Sequence, residues 1–479
     1  MINRIKEAPI EKIFLYLAVF FGIILIIVQP VFSAPDELFH FVQTFRLFYR
    51  PINPEYDYTH IGIEIIIRIV GSVVDGFEFE GGRHSFQLLY NIIDAINDGT
   101  YFEKFYLTRE NMNDYVFGFN LTRTSFQYLP QGIGMLIGSL IYPSFGVMSF
   151  FGRLFQFILF TIVSFFSIKK AKFGKYVLAF VCLLPMTMQQ VTSLSFDGMF
   201  FITIFAFFSY LTNLWVRNSP FLFKDIVYMI IFVLLFILTK ANGISLMLLL
   251  FTIPSVLFGK NIIAISIEVI YSFLERHKWV TFILITMVFL LVINYFAPSV
   301  GGMRVSAQLL FNTWFRSDIN TSLDIVSTSG LLGTFSWISF RLPGWLVIIN
   351  MIVFIIIGLQ EKQIVKNSGR ILFVSLIIIL ANIVLTTIIM YRSWTIVHGE
   401  GLEYVAFGLQ GRYYTPFLLL VSTITLYFRK YINVNISKVN LNALFICINC
   451  FNLLFQVALN LLYFYTPYNG LDFLIRIFN

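Results

Sequence analysis

The segment Ser33-Ala-Pro-Asp36-Glu37-Leu-Phe-His40 brings two carboxylates and an imidazole into one short stretch. A helix starting at Ser33 would carry Pro35 in its first turn, and Asp36 would return the cap. Asp36 and His40, spaced i to i+4, would then share a face. A carboxylate ionised at neutral pH can remove the proton of a hydroxyl within hydrogen-bond reach, which is general-base chemistry. Asp36, Glu37 and His40 are therefore the candidate catalytic residues. The plainer alternative is that the two acids stabilise a helix N-terminus and His40 sits at an interface. The adjacent carboxylates of Asp36 and Glu37 have the chemistry to hold a divalent metal, but nothing requires one, and no cofactor is expected.

The second set is cationic. Arg304, Arg341, Arg392, His398 and Arg412 are candidates for binding a phosphate or diphosphate, because guanidinium pairs with phosphate oxygens through two parallel hydrogen bonds. Arg304 and Arg316 lie among polar neighbours, where solvation explains them equally well. Arg341 and Arg412 directly precede apolar stretches, and contact with ordinary phospholipid is the alternative there. Asp197 in Ser195-Phe-Asp-Gly198 and Lys240 in Thr239-Lys-Ala-Asn242 read as helical hairpin tips, with Arg153 and Glu268 as similar cases in less context. No Gly-rich phosphate loop, zinc spacing, Ser-His-Asp order or nucleotide fingerprint is present. Cys447-Ile-Asn-Cys450 is formally C-x-x-C but lies inside an apolar run without a second ligand pair, so it reads as packing.

What must position these residues follows from composition. Of 479 residues, 58% are hydrophobic and only 12% charged, and mean hydropathy is +0.82. A soluble domain needs about 25% charged residues to cover its surface. Lipid must solvate most of this one. A net charge of +8 therefore argues for neither nucleic-acid binding nor a cytosolic enzyme. The basic residues fall instead in short clusters beside apolar runs, as the positive-inside rule describes: Arg4, Lys6 and Lys12; Lys169, Lys170, Lys172 and Lys175; Lys362 and Lys366; Arg429, Lys430 and Lys438.

The run from about Ile13 to Val31 reads as a retained first transmembrane helix with a cytoplasmic N-terminus. Residues 33–128 form an extracytoplasmic insertion with short helices, including an amphipathic stretch Ile61 to Val74 that carries Glu64 and Arg68. Further spans are expected at roughly 129–146, 150–168, 176–193, 196–216, 225–239, 243–258, 279–297, 345–359, 371–390, 411–428 and 441–464. The fold class is thus an all-α polytopic membrane protein with about 11–13 transmembrane helices, the whole chain forming one transmembrane domain. Counting every candidate as a crossing leaves either Lys169 to Lys175 or Glu275 to Lys278 outside, against the charge rule. One segment among 129–146, the hairpin at Lys240 and 261–273 must therefore break the count.

Pro35-Asp36-Glu37-Leu-Phe-His40, Ser195-Phe-Asp197, Phe335-Ser-Trp337 with Pro343-Gly-Trp345, and Gly408-Leu-Gln-Gly-Arg412-Tyr-Tyr-Thr-Pro416 resemble the bacterial membrane-protein family called domain of unknown function 2142. That family in turn resembles the C-type (GT-C) glycosyltransferases. The resemblance implies a helical membrane core with a long first outer loop, a polyprenyl-phosphate sugar donor, and an acidic residue after helix 1 that binds or deprotonates the acceptor. It carries Asp36 into the base role with Glu37 beside it, and it does not reach Arg412, whose assignment to the donor phosphate rests on charge and depth alone.

The expectation is an inverting membrane glycosyltransferase of the bacterial cytoplasmic membrane. Its site would face outward, its acceptor would be a polysaccharide or glycolipid, and its other partners membrane lipids. The rival classes are a flippase of polyprenyl-linked sugars, which would place ionisable residues such as Asp197 and Lys240 along a path at mid-membrane depth, and a non-catalytic assembly factor.

Overall fold

The computed structural model describes residues 7–52, 85–123, 125–259, 262–320, 323–336, 338–361, 363, 365, 367–397 and 404–466. The expected amphipathic stretch 61–74 and His398 lie outside them. The described residues are mostly helical, as a membrane-embedded backbone must be when no water is present to satisfy its N–H and C=O groups. Among the described residues, five helices are long and apolar enough to cross a membrane, namely Ile10–Val28, Phe145–Lys170, Asp197–Val216, Ser368–Thr395 and Lys438–Tyr465, with shorter apolar helices between them. The protein is an all-α polytopic membrane protein.

In chain order, α1 (Ile10–Val28) is followed by α2 (Glu37–Phe45), β1 (Tyr49–Pro51), α3 (Ser85–Asn97) and β2 (Tyr115–Phe117), then α4 (Leu129–Ile141) and α5 (Phe145–Lys170). The insertion closes on itself. Strands β1 and β2 pair antiparallel with Arg50 opposite Val116, and Phe32, Phe41, Phe45, Leu88, Ile92 and Phe105 form a core of their own against Met135 and Met148.

Next come α6 (Lys175–Leu183), α7 (Pro185–Val191), α8 (Asp197–Val216), α9 (Phe223–Leu238) and a twelve-residue 3-10 helix, Ala241–Thr252. The span expected at 176–193 is two helices, because Leu184 before Pro185 is extended (ψ 139°), as the residue ahead of a proline prefers. The chain continues through α10 (Ile262–Arg276), α11 (Lys278–Phe296), α12 (Met303–Phe315), α13 (Leu323–Ser327) and α14 (Ser329–Leu332). A two-stranded hairpin follows, β3 (Thr334–Phe335) and β4 (Phe340–Arg341). Last are α15 (Gly344–Leu359), α16 (Ser368–Met390), 3-10 turns at Gly411–Tyr413 and Thr415–Leu419, α17 (Leu420–Phe428) and α18 (Lys438–Tyr465).

The elements sort to two ends. At one, Lys438 and Asn442 of α18 donate to the carbonyls of Glu7 and Ala8, and Tyr176 of α6 donates to Asn442 at 2.6 Å. There the N–H of Gly174 donates to Glu361, whose carbonyl also accepts from Arg429. This end gathers Lys169, Lys170, Lys172, Lys175, Arg429 and Lys438. The opposite end holds the exit of α1, the start of α8, Lys240 after α9 and Arg412 ahead of α17.

The charge conflict in the sequence resolves on two helices. α4 is antiparallel to the first half of α5, with Gly134 and Gly138 packed on the α5 backbone where no Cβ would fit. Its far end reaches back to the insertion, where Tyr142 donates to Leu107 and the carbonyl of Pro143 accepts from Glu110. It does not run to the basic end, and the expected span at 129–146 is corrected accordingly. α10 stays at the basic end, where Arg370 stacks over Tyr271 at 3.7 Å. With α4 taken out of the count and α10 kept at the basic end, Lys169 to Lys175 and the turn between α10 and α11 lie on the same side as the N-terminus.

Candidate functional site

The site is built from segments far apart in sequence. α2 begins at Glu37, so the expected cap by Ser33 does not form: the Ser33 hydroxyl donates to the carbonyl of Pro30 at 2.8 Å. Asp36 occupies the N-cap position in a left-handed conformation (φ 59°, ψ 13°) and makes no capping hydrogen bond with its side chain. The carboxylate turns outward instead. Its Oδ2 accepts from Nη2 of Arg412 at 2.7 Å, a contact between residues 376 positions apart. The Asp36 side chain remains 39% exposed while that of Arg412 is 6% exposed.

Arg412 also lies 3.8 Å from Asp197 through Nε, and Asp197 accepts from Lys240 at 2.7 Å. Asp36, Arg412, Asp197 and Lys240 thus alternate in sign along one chain of contacts. The Lys240 ammonium lies 4.3 Å from the centre of the Tyr413 ring, a cation–π contact. Asp197 and Lys240, expected as separate hairpin tips, are both hairpin ends and members of this cluster. Arg412 reaches them because Gly411 packs on the backbone of Gly330 in α14, where a Cβ would come within 2.1 Å of the Gly330 carbonyl carbon. Burial opposes the Arg412 charge, but the Tyr413, Asp36 and Asp197 groups outweigh it and hold its pKa above the ordinary value.

The other two expected catalytic residues are placed differently. Glu37 is fully buried and bidentate with Arg153, at 2.8 and 2.6 Å. It also accepts from the N–H of Leu194 at 3.1 Å and of Ala34 at 3.3 Å. Arg153 spends its remaining donors on the carbonyls of Gln29, Pro30 and Ile26. Both oxygens of Glu37 are therefore engaged, and the pair pins α5 to the turn carrying Asp36. The adjacent carboxylates are drawn to different arginines, so they do not form a common metal-binding face. His40 is buried against Tyr128, with Nδ1 2.9 Å from its hydroxyl. Burial pulls its pKa down to about 4, against the opposing pull of Asp36, so it is a neutral imidazole at pH 7.

Of the cationic candidates among the described residues, only Arg412 joins the cluster. Arg341, on β4, pairs with Asp324. Arg392 and Arg304 are exposed. Cys447, exposed, and Cys450, half-buried, gather no ligand set: no group of three or more His, Cys, Asp or Glu side chains stands together among the described residues.

A narrow cleft borders the cluster, lined by Pro35, Met186, Gln190, Thr334, Gly411 and Arg412, with Ile325, Ile338 and Gln410 completing its wall. Gln190 and Thr334 escaped the sequence reading because an amide or a hydroxyl in an apolar run carries no charge signal; Pro185, inside the span expected at 176–193, is the signal that could have marked the region.

A family model of predicted membrane proteins, DUF2142, matches residues 19–421. The chain belongs to this family. The DUF2142 match takes in all four members of the charged cluster, the Glu37–Arg153 pair and every residue lining the cleft, and α18 lies beyond it. No curated protein and no solved structure matches the chain.

Proposed function

We propose that this protein is a membrane glycosyltransferase that moves a sugar from a polyprenyl-phosphate donor to an acceptor hydroxyl with inversion. Asp36 is the general base and Arg412 the cation that receives the donor phosphate. The observation that carries this reading is the Asp36–Arg412 contact at the edge of a cleft. A half-exposed carboxylate and a buried guanidinium meet there, and Nε and Nη1 of that guanidinium have no hydrogen-bond partner.

The chemistry balances on these groups. The acceptor oxygen bonds to the anomeric carbon as its proton passes to Asp36, while the bond from that carbon to the phosphate oxygen breaks and the phosphate leaves with the electron pair. Arg412 stabilises the charge that develops on the leaving group, an interaction strengthened by its burial. A phosphate on Arg412 competes with Asp36 for the same guanidinium, so donor arrival frees the base beside the carbon to be attacked. Under the positive-inside rule the basic end faces the cytoplasm and the cleft faces outward. That orientation suits an extracytoplasmic acceptor such as a surface polysaccharide or glycolipid in a bacterial cytoplasmic membrane. The transport alternative drew on Asp197 and Lys240 as ionisable groups along a path at mid-membrane depth; both stand in one cluster with Asp36 and Arg412, at the same end of the bundle as the cleft.

The test is sugar transfer from labelled polyprenyl-phosphate sugars by the purified protein in proteoliposomes. Asp36→Asn is expected to lower turnover by roughly 10²–10⁴-fold, the usual range for a lost general base. Near-wild-type turnover would remove Asp36 from that role.

A further inference from the structure

The cleft has a polar lining that the phosphate contact does not use. Gln190, from α7, is 1% exposed, and Thr334, from β3, is 5% exposed. Both line the cleft, and Oε1 of Gln190 and Oγ1 of Thr334 have no hydrogen-bond partner. A buried polar atom left without a partner costs roughly 1–3 kcal/mol, which a ligand that supplies the missing bond returns. The remaining wall is apolar, from Pro35, Met186, Ile325 and Ile338.

Three elements thus converge on one small space. Around it stand unpartnered Nε and Nη1 of Arg412, Oε1 of Gln190 and Oγ1 of Thr334, together with apolar side chains. We infer that the cleft is the seat of a glycosyl phosphate, with its phosphate on Arg412 and its ring hydroxyls read by Gln190 and Thr334. This deepens the glycosyltransferase reading and rests on it. Gln190 and Thr334 are specificity-determining residues: an amide presents both a donor and an acceptor to ring hydroxyls, and the Thr334 hydroxyl can serve as either. The apolar wall packs on the C–H face of the ring. A glycosyl phosphate occurs either on a lipid or free in solution, and the cleft chemistry is common to both.

The experiment is direct binding to the full-length protein in nanodiscs. The probes are polyprenyl phosphate without sugar, polyprenyl phosphates carrying glucose, mannose, galactose or N-acetylglucosamine, and the corresponding free sugar 1-phosphates. At least one glycosylated lipid is expected to bind more tightly than bare polyprenyl phosphate. Gln190→Leu and Thr334→Val are each expected to weaken that probe about three- to tenfold, the worth of one neutral hydrogen bond, and to leave bare polyprenyl phosphate unchanged. Arg412→Gln is expected to weaken both lipids. A free sugar 1-phosphate binding as tightly as the lipid form identifies the soluble source.

Equal binding of bare and glycosylated lipids to the wild type overturns the reader role while leaving the phosphate assignment intact, as does an equal loss of both probes in Gln190→Leu and Thr334→Val. Binding of none of the probes overturns the glycosyltransferase reading itself. Thermal midpoints of the two variants within a few degrees of wild type guard against misfolding. Should Gln190→Leu fail that check, Gln190→Met replaces it.

Discussion

At the scale of single residues, the Glu37–Arg153 pair and His40 give the sharpest expectations. Removing one partner of a buried ion pair leaves an uncompensated charge, at a cost of about 3–5 kcal/mol. Glu37→Gln and Arg153→Met are each expected to lower the unfolding midpoint of the detergent-solubilised protein strongly, and the double variant less than the sum of the two. An additive double variant would show that the contact is not energetically coupled. His40 titrates near 4 in the folded protein against 6.5 as a free side chain. The unfolded chain therefore binds more protons between those values. Stability is full above about pH 6.5 and is lost as pH falls toward 4, by about 3 kcal/mol. Thermal melts across that window are expected to be steeper in pH for wild type than for His40→Gln. Identical pH slopes would remove His40 as the source. Asp36 and Arg412 were legible in the sequence because a charge beside an apolar run has to be explained. The roles of Glu37 and Arg153 were not, since their contact joins positions 116 residues apart and nothing in the chain announces which arginine an acid will find.

At the scale of elements, the site depends on how closely α14 approaches the Gly411 turn. A methyl at Gly411 would meet the backbone of Gly330 and Leu331, which cannot rotate away as a side chain can. Gly411→Ala is therefore expected to cost about 1–3 kcal/mol in stability and to weaken donor binding together with it, because Arg412 moves with the turn. Retained binding affinity in a folded Gly411→Ala protein would show that the turn does not set the position of Arg412. Hydrophobicity located the main helices, yet several lengths and breaks were beyond its reach. A run such as 129–146 is apolar enough to span, but whether it crosses or doubles back depends on Gly134 and Gly138 letting it lie along α5, a tertiary fact. Pro185 is there to be read, yet apolar length alone makes 176–193 one unbroken span, and the proline does break it.

At the scale of the whole molecule, the separation of the basic end from the charged cluster gives a topological expectation. In a cysteine-free background, a single cysteine at Lys170 is expected to be shielded from an impermeant maleimide added outside intact cells, and one at Arg304 to be labelled. The reverse pattern would invert the proposed orientation. The helical membrane architecture was legible from composition and from apolar runs long enough to span as helices, because only helices and closed barrels satisfy the backbone in lipid. The meeting of α1, α8, α9 and α17 at one cluster was not legible, since hydropathy orders segments along the chain and says nothing about which of them become neighbours.

One clasp described above bears on biogenesis. Asn442 of α18 joins the carbonyl ahead of α1 to Tyr176 of α6, and Asn452 of α18 exchanges hydrogen bonds with Asn350 of α15. Because α1 is synthesised long before α18, it finds one of its neighbours only when α18 has been made, and the bundle stays open on that side until then. A nascent chain released at residue 430 would already carry every group of the charged cluster, yet would bare the Asn350 amide to lipid. Such a fragment should be a substrate for membrane quality-control proteases.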